Sequence, residues 1–335
     1  VEVDKTVTEK VNDDGSVQKD TETNTKVTDA SGNVTEVKEI VNTTKDSSGL
    51  MNVKTTETTA ADGSKTVEKV INAQTTDGSL RTTADVSGSE SSDVTTILKV
   101  ESSDDGNIEL STDIIQKALE QQDKVSEAIS DVSQDHNKVI EVKAESEDTI
   151  MSMPQESFKG MSDNGSDFKM TSPRGSLTFS SDVLSNLSDM EDVSLSFTRA
   201  DRSVMNEAQR NAVSQDSSIF DLKAMAGGES VGDRLGGNVD VAVKHTPAEG
   251  KTPVAYYLDD NGQKHRMDGQ WFEKGVMHFI TNHFSLYVIE DEVANPLPID
   301  EGNDDSGSNT MLYAGVAIAI IAIIAIVAVV MVRRN

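Results

Sequence analysis

Residues 17–27 read VQKDTETNTKV, and the spacing of their side chains fixes the first half of the fold. One parity carries β-branched residues, and the other carries only polar or charged ones. The β-branched residues are Val17, Thr21, Thr23, Thr25 and Val27. Alternation with a period of two predicts a β-strand, and Thr and Val are good strand formers. A face made only of Thr and Val buries little, so we expect long antiparallel strands over a thin core.

Turn-forming clusters recur on both sides of this stretch. They are Asp13-Asp14-Gly15-Ser16, Ser31-Gly32-Asn33, Ser47-Ser48-Gly49, Asp62-Gly63-Ser64 and Asp77-Gly78-Ser79. Successive glycines are roughly 14 to 17 residues apart, a spacing that suits repeated small strand units. Asp-Gly favours hairpin turns that need positive φ. We therefore predict an elongated, stalk-like antiparallel β repeat over residues 1–107. The alternative is a disordered spacer rich in Thr, Ser and Asp; in both cases the segment provides reach.

Aromatic residues appear only from Phe158 onward. All eight Phe, all four Tyr and the single Trp follow Pro154. Because aromatic side chains bury the largest areas, the main core should lie there. The class predicted is α+β, with an α+β module over 108–290 that ends in an all-β part. A helix is expected over 113–132, with Asp113 as N-cap or first-turn acid.

The shorter elements of this module follow from the same patterns. Strands are predicted over 138–144, 149–153, 167–171, 176–179, 193–199, 219–225, 239–244, 254–258, 276–281 and 284–289. Helical turns are predicted over 154–161, 181–187 and 205–213.

Charge and cysteine content exclude several classes of protein. The formal net charge is -28, which argues against nucleic acid as a partner. The chain has no Cys, so disulfides and thiolate metal sites are excluded. No metal or other cofactor is predicted. Residue 1 is Val and no charged-then-apolar leader follows, so we expect a fragment or a processed form.

Residues 311–332 are apolar throughout and are followed by Arg333 and Arg334. About 22 residues at 1.5 Å rise cross a hydrocarbon core as a helix. Basic residues stay on the cytoplasmic side, so residues 1–310 would be extracellular and 333–335 cytoplasmic. The acidic stretch 291–310 would be a linker to the membrane. The alternative is a tail anchor, which places everything before Met311 in the cytosol.

Two segments near the end of the module carry a resemblance to a known class. Residues 254–262 read VAYYLDDNG and residues 276–289 read VMHFITNHFSLYVI. They resemble the closing part of a module of prokaryotic cell-surface proteins, which ends in YY-x-DD/ENG and then V-x-F-x-T-x-HFS-x-Y-x-V. The order of elements over 108–290 is similar as well. The resemblance implies a secreted or anchored bacterial or archaeal surface protein, and it favours the extracellular topology over the tail anchor.

His283-Phe284-Ser285 is also similar to the cleavage motif of self-cleaving domains in a nuclear-pore protein and a death-domain adaptor. In that chemistry the Ser285 hydroxyl would attack the preceding carbonyl, with His283 assisting proton transfer. It further requires a strained peptide bond and a donor for the oxyanion. The simpler interpretation is the strand over 284–289, in which Phe284, Leu286 and Val288 alternate into the core and Ser285 lies near its start.

The function predicted from the sequence is structural or adhesin-like display at the cell surface, without catalysis. The partners expected are the lipid bilayer and an unidentified protein or glycan ligand outside the cell. The alternatives are a surface protein that cleaves itself between Phe284 and Ser285, and an envelope enzyme whose site the sequence does not reveal.

Overall fold

The computed structural model of the chain describes residues 1–87, 93–103, 106–133 and 135–293. The helices are α1 (Thr112–Ile129), α2 (Gln155–Asp163), α3 (Ser181–Leu187) and α4 (Glu207–Ala212), with a 3-10 turn at Arg202–Val204. The first strands are β1 (Glu2–Val11), β2 (Val17–Thr28), β3 (Val34–Lys45), β4 (Gly49–Thr59), β5 (Lys65–Thr75), β6 (Leu80–Ser87), β7 (Asp93–Lys99) and β8 (Asn107–Glu109). The middle strands are β9 (Asn137–Lys143), β10 (Thr149–Ser152), β11 (Ser166–Ser172), β12 (Gly175–Phe179), β13 (Ser194–Arg199), β14 (Ser218–Ala226) and β15 (Glu229–Ser230). The last are β16 (Val239–Lys244), β17 (Lys251–Leu258), β18 (Lys264–Arg266), β19 (Trp271–Glu273), β20 (Val276–Thr281) and β21 (Leu286–Val293).

Most strands belong to one 13-stranded sheet, which we call the large sheet. Its order is β1-β2-β3-β4-β5-β6-β7-β9-β11-β12-β16-β20-β19. Strands β1 to β7 form an antiparallel meander, and β7 then pairs in parallel with β9. The sheet therefore continues across residue 107, where the sequence places the end of the repeat.

The first four strands differ from the rest of the large sheet because no residue in them is buried. Their residues are exposed or half-buried, and cross-strand pairs such as Lys38–Glu22 and Lys54–Glu39 connect them. The first buried residues of the strands lie on one face of β5. In β6, every second residue is buried and the residues between them are exposed or half-buried. The predicted antiparallel repeat is present, and its first part has an even thinner core than the Thr/Val face indicates.

The hairpin turns of the repeat share one chemistry. In the turn between β1 and β2, Gly15 has φ of 81° and the Ser16 amide donates to Asp14 Oδ1 over 2.9 Å. The same contact recurs at the other two Asp-Gly-Ser turns, where Ser64 donates to Asp62 and Ser79 to Asp77. In each turn the Asp carboxylate accepts the hydrogen bond of the serine amide, and the glycine adopts the left-handed conformation that the turn requires. This repeated turn sets the register of the hairpins.

A second sheet packs against the later strands of the large sheet. Its order is β18-β17-β21-β14-β13-β10-β8, with β15 paired to β14. The main core is continuous between the sheets and includes the buried rings of Phe168, Phe179, Phe197, Phe279 and Tyr287. The location of the aromatic residues in the sequence thus predicts the location of the core.

Helix α1 fastens the repeat to the module. Gln122 on its buried face donates from Nε2 to the carbonyl oxygens of Val94 on β7 and Val139 on β9, both over 3.1 Å. Its Oε1 accepts a 2.7 Å bond from Ser166 at the start of β11. A smaller apolar cluster joins α1 to the repeat through Ile129 and Ile71. The helix therefore covers the strands on both sides of residue 107.

Local sequence signals place the ends of several elements. Ser111 caps α1 by accepting from the Ile114 amide, so Asp113 is the first-turn acid rather than the cap. The predicted strand over 284–289 instead begins at Leu286 and runs to Val293. In the part of the chain that the structure describes, no helix has the length and apolar character to cross a bilayer. The predicted membrane span over 311–332, and the linker from residue 294 onward, lie outside that part.

Candidate functional site

The His-Phe-Ser motif lies where the chain passes from one sheet to the other. Strand β20 belongs to the large sheet and ends at Thr281, and β21 of the second sheet begins at Leu286. Phe284 is buried between them, and its ring contacts Phe179 edge-on with centroids 5.8 Å apart. Residues 281–287, which belong to the second of the two segments that carry the resemblance, therefore form the crossing between the two sheets, and we call them the crossing bend.

Three oxygen atoms converge inside the crossing bend. The Tyr287 hydroxyl donates to the His283 carbonyl over 2.7 Å, and Thr281 Oγ1 donates to the same carbonyl over 2.8 Å. The two hydroxyl oxygens are 2.5 Å apart. Tyr287 has no exposed surface, and burial raises the pKa of its phenol well above the usual range. The hydroxyls therefore remain neutral, and they satisfy a carbonyl that neither sheet pairs.

The imidazole of His283 lies against an aromatic ring. Tyr257 meets it edge-on with centroids 4.5 Å apart. His283 Nδ1 is 3.2 Å from Asn282 Oδ1, while Nε2 is buried without a hydrogen-bond partner in the described residues. Desolvation lowers the pKa of His283 below its usual value, so the neutral imidazole is favoured.

The peptide groups on either side of the Phe284–Ser285 peptide make ordinary backbone hydrogen bonds. The Phe284 amide donates to Gly232 O over 2.9 Å, and the Ser285 carbonyl accepts from the Leu222 amide over 3.0 Å. The described residues contain no cis peptide bond, and positive φ outside glycine occurs only at Asp192 and Lys274. The structure thus brings His283 and Ser285 into one bend, but the imidazole contacts Asn282 and Tyr257, and the peptide does not have a strained φ.

Sequence reasoning selected His283 and Ser285 and missed Thr281 and Tyr287, which organise the bend. Their signal was present in the sequence, since Thr and Tyr occupy fixed places in the T-x-HFS-x-Y pattern. Hydroxyl groups at those two positions suit a shared backbone acceptor. Thr281 and Tyr287 therefore have a structural role in the crossing bend.

A second candidate site lies on the open outer face of the large sheet, at the end opposite β1. Trp271 on β19 is 49% exposed, and its indole stacks on His278 of β20 with centroids 4.6 Å apart and 2° between the planes. Ile280, two residues along the same face, is 42% exposed. Aromatic and aliphatic side chains exposed together mark a contact surface more often than isolated ones do. We call Trp271, His278 and Ile280 the indole patch.

An acidic groove of about 440 Å³ adjoins the indole patch and shares Ile280 with it. Its other lining residues are Asp167, Thr178, Ser180, Asp182, Gly237, Asn238 and Asp240. The register explains the contact, because Asp240 pairs with Ile280 on one side and with Thr178 on the other. Desolvation, together with the charges of Asp240, Asp93 and Asp182, raises the pKa of Asp167. The groove therefore presents carboxylates, hydroxyls and an amide beside an exposed indole.

His278 and His283 do not share a site, whereas His265 and His283 both contact the ring of Tyr257. His278 stacks on the outer face of the large sheet, whereas His283 lies in the crossing bend against Tyr257. Among residues 1–87, 93–103, 106–133 and 135–293, no group of three or more His, Asp or Glu side chains has a metal-binding arrangement. Comparison with protein-family models, curated proteins and solved structures found no match to the chain.

Proposed function

We propose that this chain is a membrane-anchored display protein of the cell surface, adhesin-like, with its bulk outside the cell. The observation that carries the proposal is that none of the residues of β1 to β4 is buried. These strands lengthen the large sheet without adding a buried core. Such an extension would carry the first residues of the chain farther from the cell surface. The apolar segment 311–332 would be the membrane anchor near the other end of the chain.

The indole patch and the acidic groove support a glycan as the displayed module's ligand. Sugar rings have apolar C–H faces that stack on an indole, and their hydroxyls bond to carboxylate and amide oxygens. The exposed face of Trp271 offers the first contact, and Asp240 and Asn238 offer the second. Because the groove is acidic, a neutral or amino-bearing glycan fits its charge better than an anionic one.

Topology is tested on intact cells with an N-terminal epitope tag. Externally added protease should remove the tag, whereas a cytosolic reporter protein should survive. Protection of the tag in intact cells, and its loss only after lysis, would favour the tail-anchor alternative and overturn surface display.

Ligand binding is tested on a glycan array and then by titration. The chain has one Trp, so its fluorescence reports the indole patch directly. Trp271→Ala should remove array binding, and the matched control Ile150→Ala, which changes an exposed apolar residue on β10, should not. Equal loss in both variants, or binding that Trp271→Ala leaves unchanged, would contradict the proposed contact surface. Capture of a defined protein by the wild type and not by Trp271→Ala would assign the patch to a protein ligand instead.

A further inference from the structure

Four asparagines of the chain are followed, two residues later, by Ser or Thr. They are Asn33, Asn42, Asn164 and Asn186. Asn-x-Ser/Thr, with x other than Pro, is the acceptor sequence for N-linked glycosylation of secreted proteins, and a modified asparagine lies at the surface. The chain is rich in Ser and Thr, so the pattern alone does not select a site. The surroundings of the four side chains do select one.

Asn33 is exposed at the end of the turn between β2 and β3. Its hydrogen bonds in the described residues are all with Asp29. The Asn33 amide donates to Oδ1 and Asn33 Nδ2 donates to Oδ2, both over 2.9 Å, and the Asn33 carbonyl accepts from the Asp29 amide over 3.0 Å. A carboxamide nitrogen carries two hydrogens, so one N–H remains that a sugar can replace.

Asn42 has the same type of acceptor sequence but lies inside the sheet. It is half-buried on β3, where it pairs with Asp20 of β2 on one side and with Val53 of β4 on the other. Its Nδ2 donates to Asp20 Oδ1 over 2.8 Å. A transferase would have to draw this strand away from both neighbours before it could reach the carboxamide.

Asn164 is held by the module at both ends of its carboxamide. Its Nδ2 donates to Asp123 Oδ1 over 2.9 Å, and its Oδ1 accepts from Lys138 Nζ over 3.1 Å. Ser166, which would supply the hydroxyl of the acceptor sequence, has no exposed surface. The folded chain therefore hides the part of this sequence that a transferase recognises.

Asn186 is exposed, but its carboxamide packs on the loop that precedes β16. Its Nδ2 donates to the Arg234 carbonyl over 3.3 Å, and it lies so close to Gly236 that a Cβ there would collide with it. Asn186 belongs to α3, and Ser188 follows the last helical residue. Residues two apart on a helix do not face each other, so the amide and the hydroxyl point in different directions.

We propose that Asn33 is a site of N-linked glycosylation and that the other three asparagines are not modified in the folded chain. Asn33 Nδ2 forms a bond to the anomeric carbon of a lipid-linked oligosaccharide and loses one proton. The bond from that carbon to the phosphate oxygen of the lipid breaks, and the lipid phosphate leaves with the electron pair. The N–H that remains on Nδ2 can keep its bond to Asp29. The inference rests on the proposed extracellular location, because such acceptors are modified in secreted proteins.

The location of Asn33 gives the modification a consequence for the repeat. Residues 29–33 read DASGN, and exposed turns of small and polar residues are preferred sites of proteolytic cleavage. The adjoining strands β2 and β3 have no buried residue. A bulky, hydrophilic glycan on this turn should therefore slow its cleavage by proteases outside the cell.

The first test uses the full-length chain, purified in detergent from the cells in which it naturally occurs. Peptide mapping and intact mass should show a glycan on Asn33. Thr35→Ala leaves Asn33 and its bonds to Asp29 in place but removes the hydroxyl of the acceptor sequence, so the glycan should be lost. Thr35→Ser should keep the glycan. In the matched control Thr44→Ala, which alters the sequence that begins at Asn42, the glycan mass should not change.

The second test measures access to the folded turn. The unmodified chain, made in cells that lack N-linked glycosylation, is incubated with a purified oligosaccharyltransferase and a lipid-linked oligosaccharide. The folded chain should accept one glycan, on Asn33, and the unfolded chain should accept more. Transfer to Asn33 only after unfolding would show that the turn is closed to the enzyme and would overturn the proposal.

The epitope-tag assay separates this proposal from that of surface display. A glycan on Asn33 that Thr35→Ala removes would support the inference. An external tag on a chain without a glycan at Asn33 would overturn the glycosylation site and leave surface display standing. A protected tag together with an unmodified Asn33 would overturn both. Glycans confined to Asn42, Asn164 or Asn186 would overturn the assignment to Asn33.

Discussion

The Tyr287 hydroxyl donates a 2.7 Å hydrogen bond to the carbonyl oxygen of His283, four residues earlier in the chain. Thr281 Oγ1, two residues before His283, donates to the same oxygen over 2.8 Å. Two hydroxyl protons are thus shared among three buried or half-buried oxygens at the crossing bend. The bond between Tyr287 and His283 thus stabilises the segment of the motif that connects the two sheets.

Tyr287→Phe should lower the free energy of unfolding by about 1–2 kcal/mol, because the His283 carbonyl loses one of two donors inside the protein. Thr281→Val should have a similar effect, and the double variant should reveal a coupling energy of about 0.5 kcal/mol or more, because the residues share one acceptor. Denaturant unfolding measures both. Tyr257→Phe is the matched control. If it lowers the free energy of unfolding as much as Tyr287→Phe does, the bond from the Tyr287 hydroxyl to the His283 carbonyl does not account for the effect.

Acidification should destabilise the crossing bend through His283. Burial lowers the pKa of His283 in the folded chain, so the unfolded state takes up a proton first as pH falls below its ordinary value of 6.5. The contribution of the neutral His283 imidazole to the free energy of unfolding is therefore complete above about pH 6.5, and it is lost as pH decreases toward the folded pKa. The measurement is the difference in unfolding midpoint between the wild type and His283→Gln from pH 8 to pH 5. A difference that does not vary with pH would contradict a buried neutral imidazole.

The wild-type chain should migrate as a single band of full length on a denaturing gel, as should Ser285→Ala. The imidazole of His283 contacts Asn282 and Tyr257, and the peptide groups on either side of the Phe284–Ser285 peptide make backbone hydrogen bonds. Mass spectrometry of the purified chain provides the measurement. Two fragments that join at Ser285 and disappear in Ser285→Ala would establish self-cleavage and overturn this expectation.

Gln122→Leu should destabilise the chain by about 2–4 kcal/mol, because the Val94 and Val139 carbonyls lose their donor from the side chain of Gln122 and the Ser166 hydroxyl keeps only Asn164 Oδ1 as acceptor. Proteolysis should become faster in the repeat, since β7 is held to β9 at this point. Gln116→Leu changes an exposed Gln on the same helix and should stay within about 0.5 kcal/mol. Equal effects of the two substitutions would argue that the buried amide does not join the repeat to the module.

Asp77 should titrate well below an ordinary aspartate. The amide of Ser79 and the hydroxyls of Thr75 and Ser79 donate to its carboxylate, and these bonds lower its pKa to about 2. The folded pKa is depressed, so the stabilisation is present above the unfolded value of 3.8 and is lost as pH falls toward about 2. NMR titration of the Asp77 carboxyl carbon checks the value. Asp77→Ala should lower the melting temperature at neutral pH, and an ordinary titration in the wild type would refute the turn contacts.

Local patterns were sufficient wherever one segment alone determines the structure. The alternation around Thr23 predicted strands, and the Asp-Gly-Ser turns predicted where the hairpins reverse. The helix over 113–132 appears as α1 and ends at Ile129. These elements follow from side-chain period, strand propensity and the backbone freedom of glycine, all of which act within a few residues.

Longer-range relations were not accessible to the same reasoning. The strand expected at residue 284 begins at Leu286, because the chain changes sheets there and Thr281 and Tyr287 hold the crossing bend. Likewise, nothing local shows that Trp271 would stack on His278. Such contacts depend on which strands become neighbours, and that choice is made by burial over the whole molecule.

By itself, the sequence determined where strands and turns form and that the aromatic part of the chain contains the core. Only the tertiary structure decided that the repeat and the module share one sheet, and that His283 and Ser285 lie in a crossing bend. The physical reason is that propensity and turn chemistry act over a few residues. Strand order and burial, in contrast, are settled by competition among contacts between residues far apart in the chain.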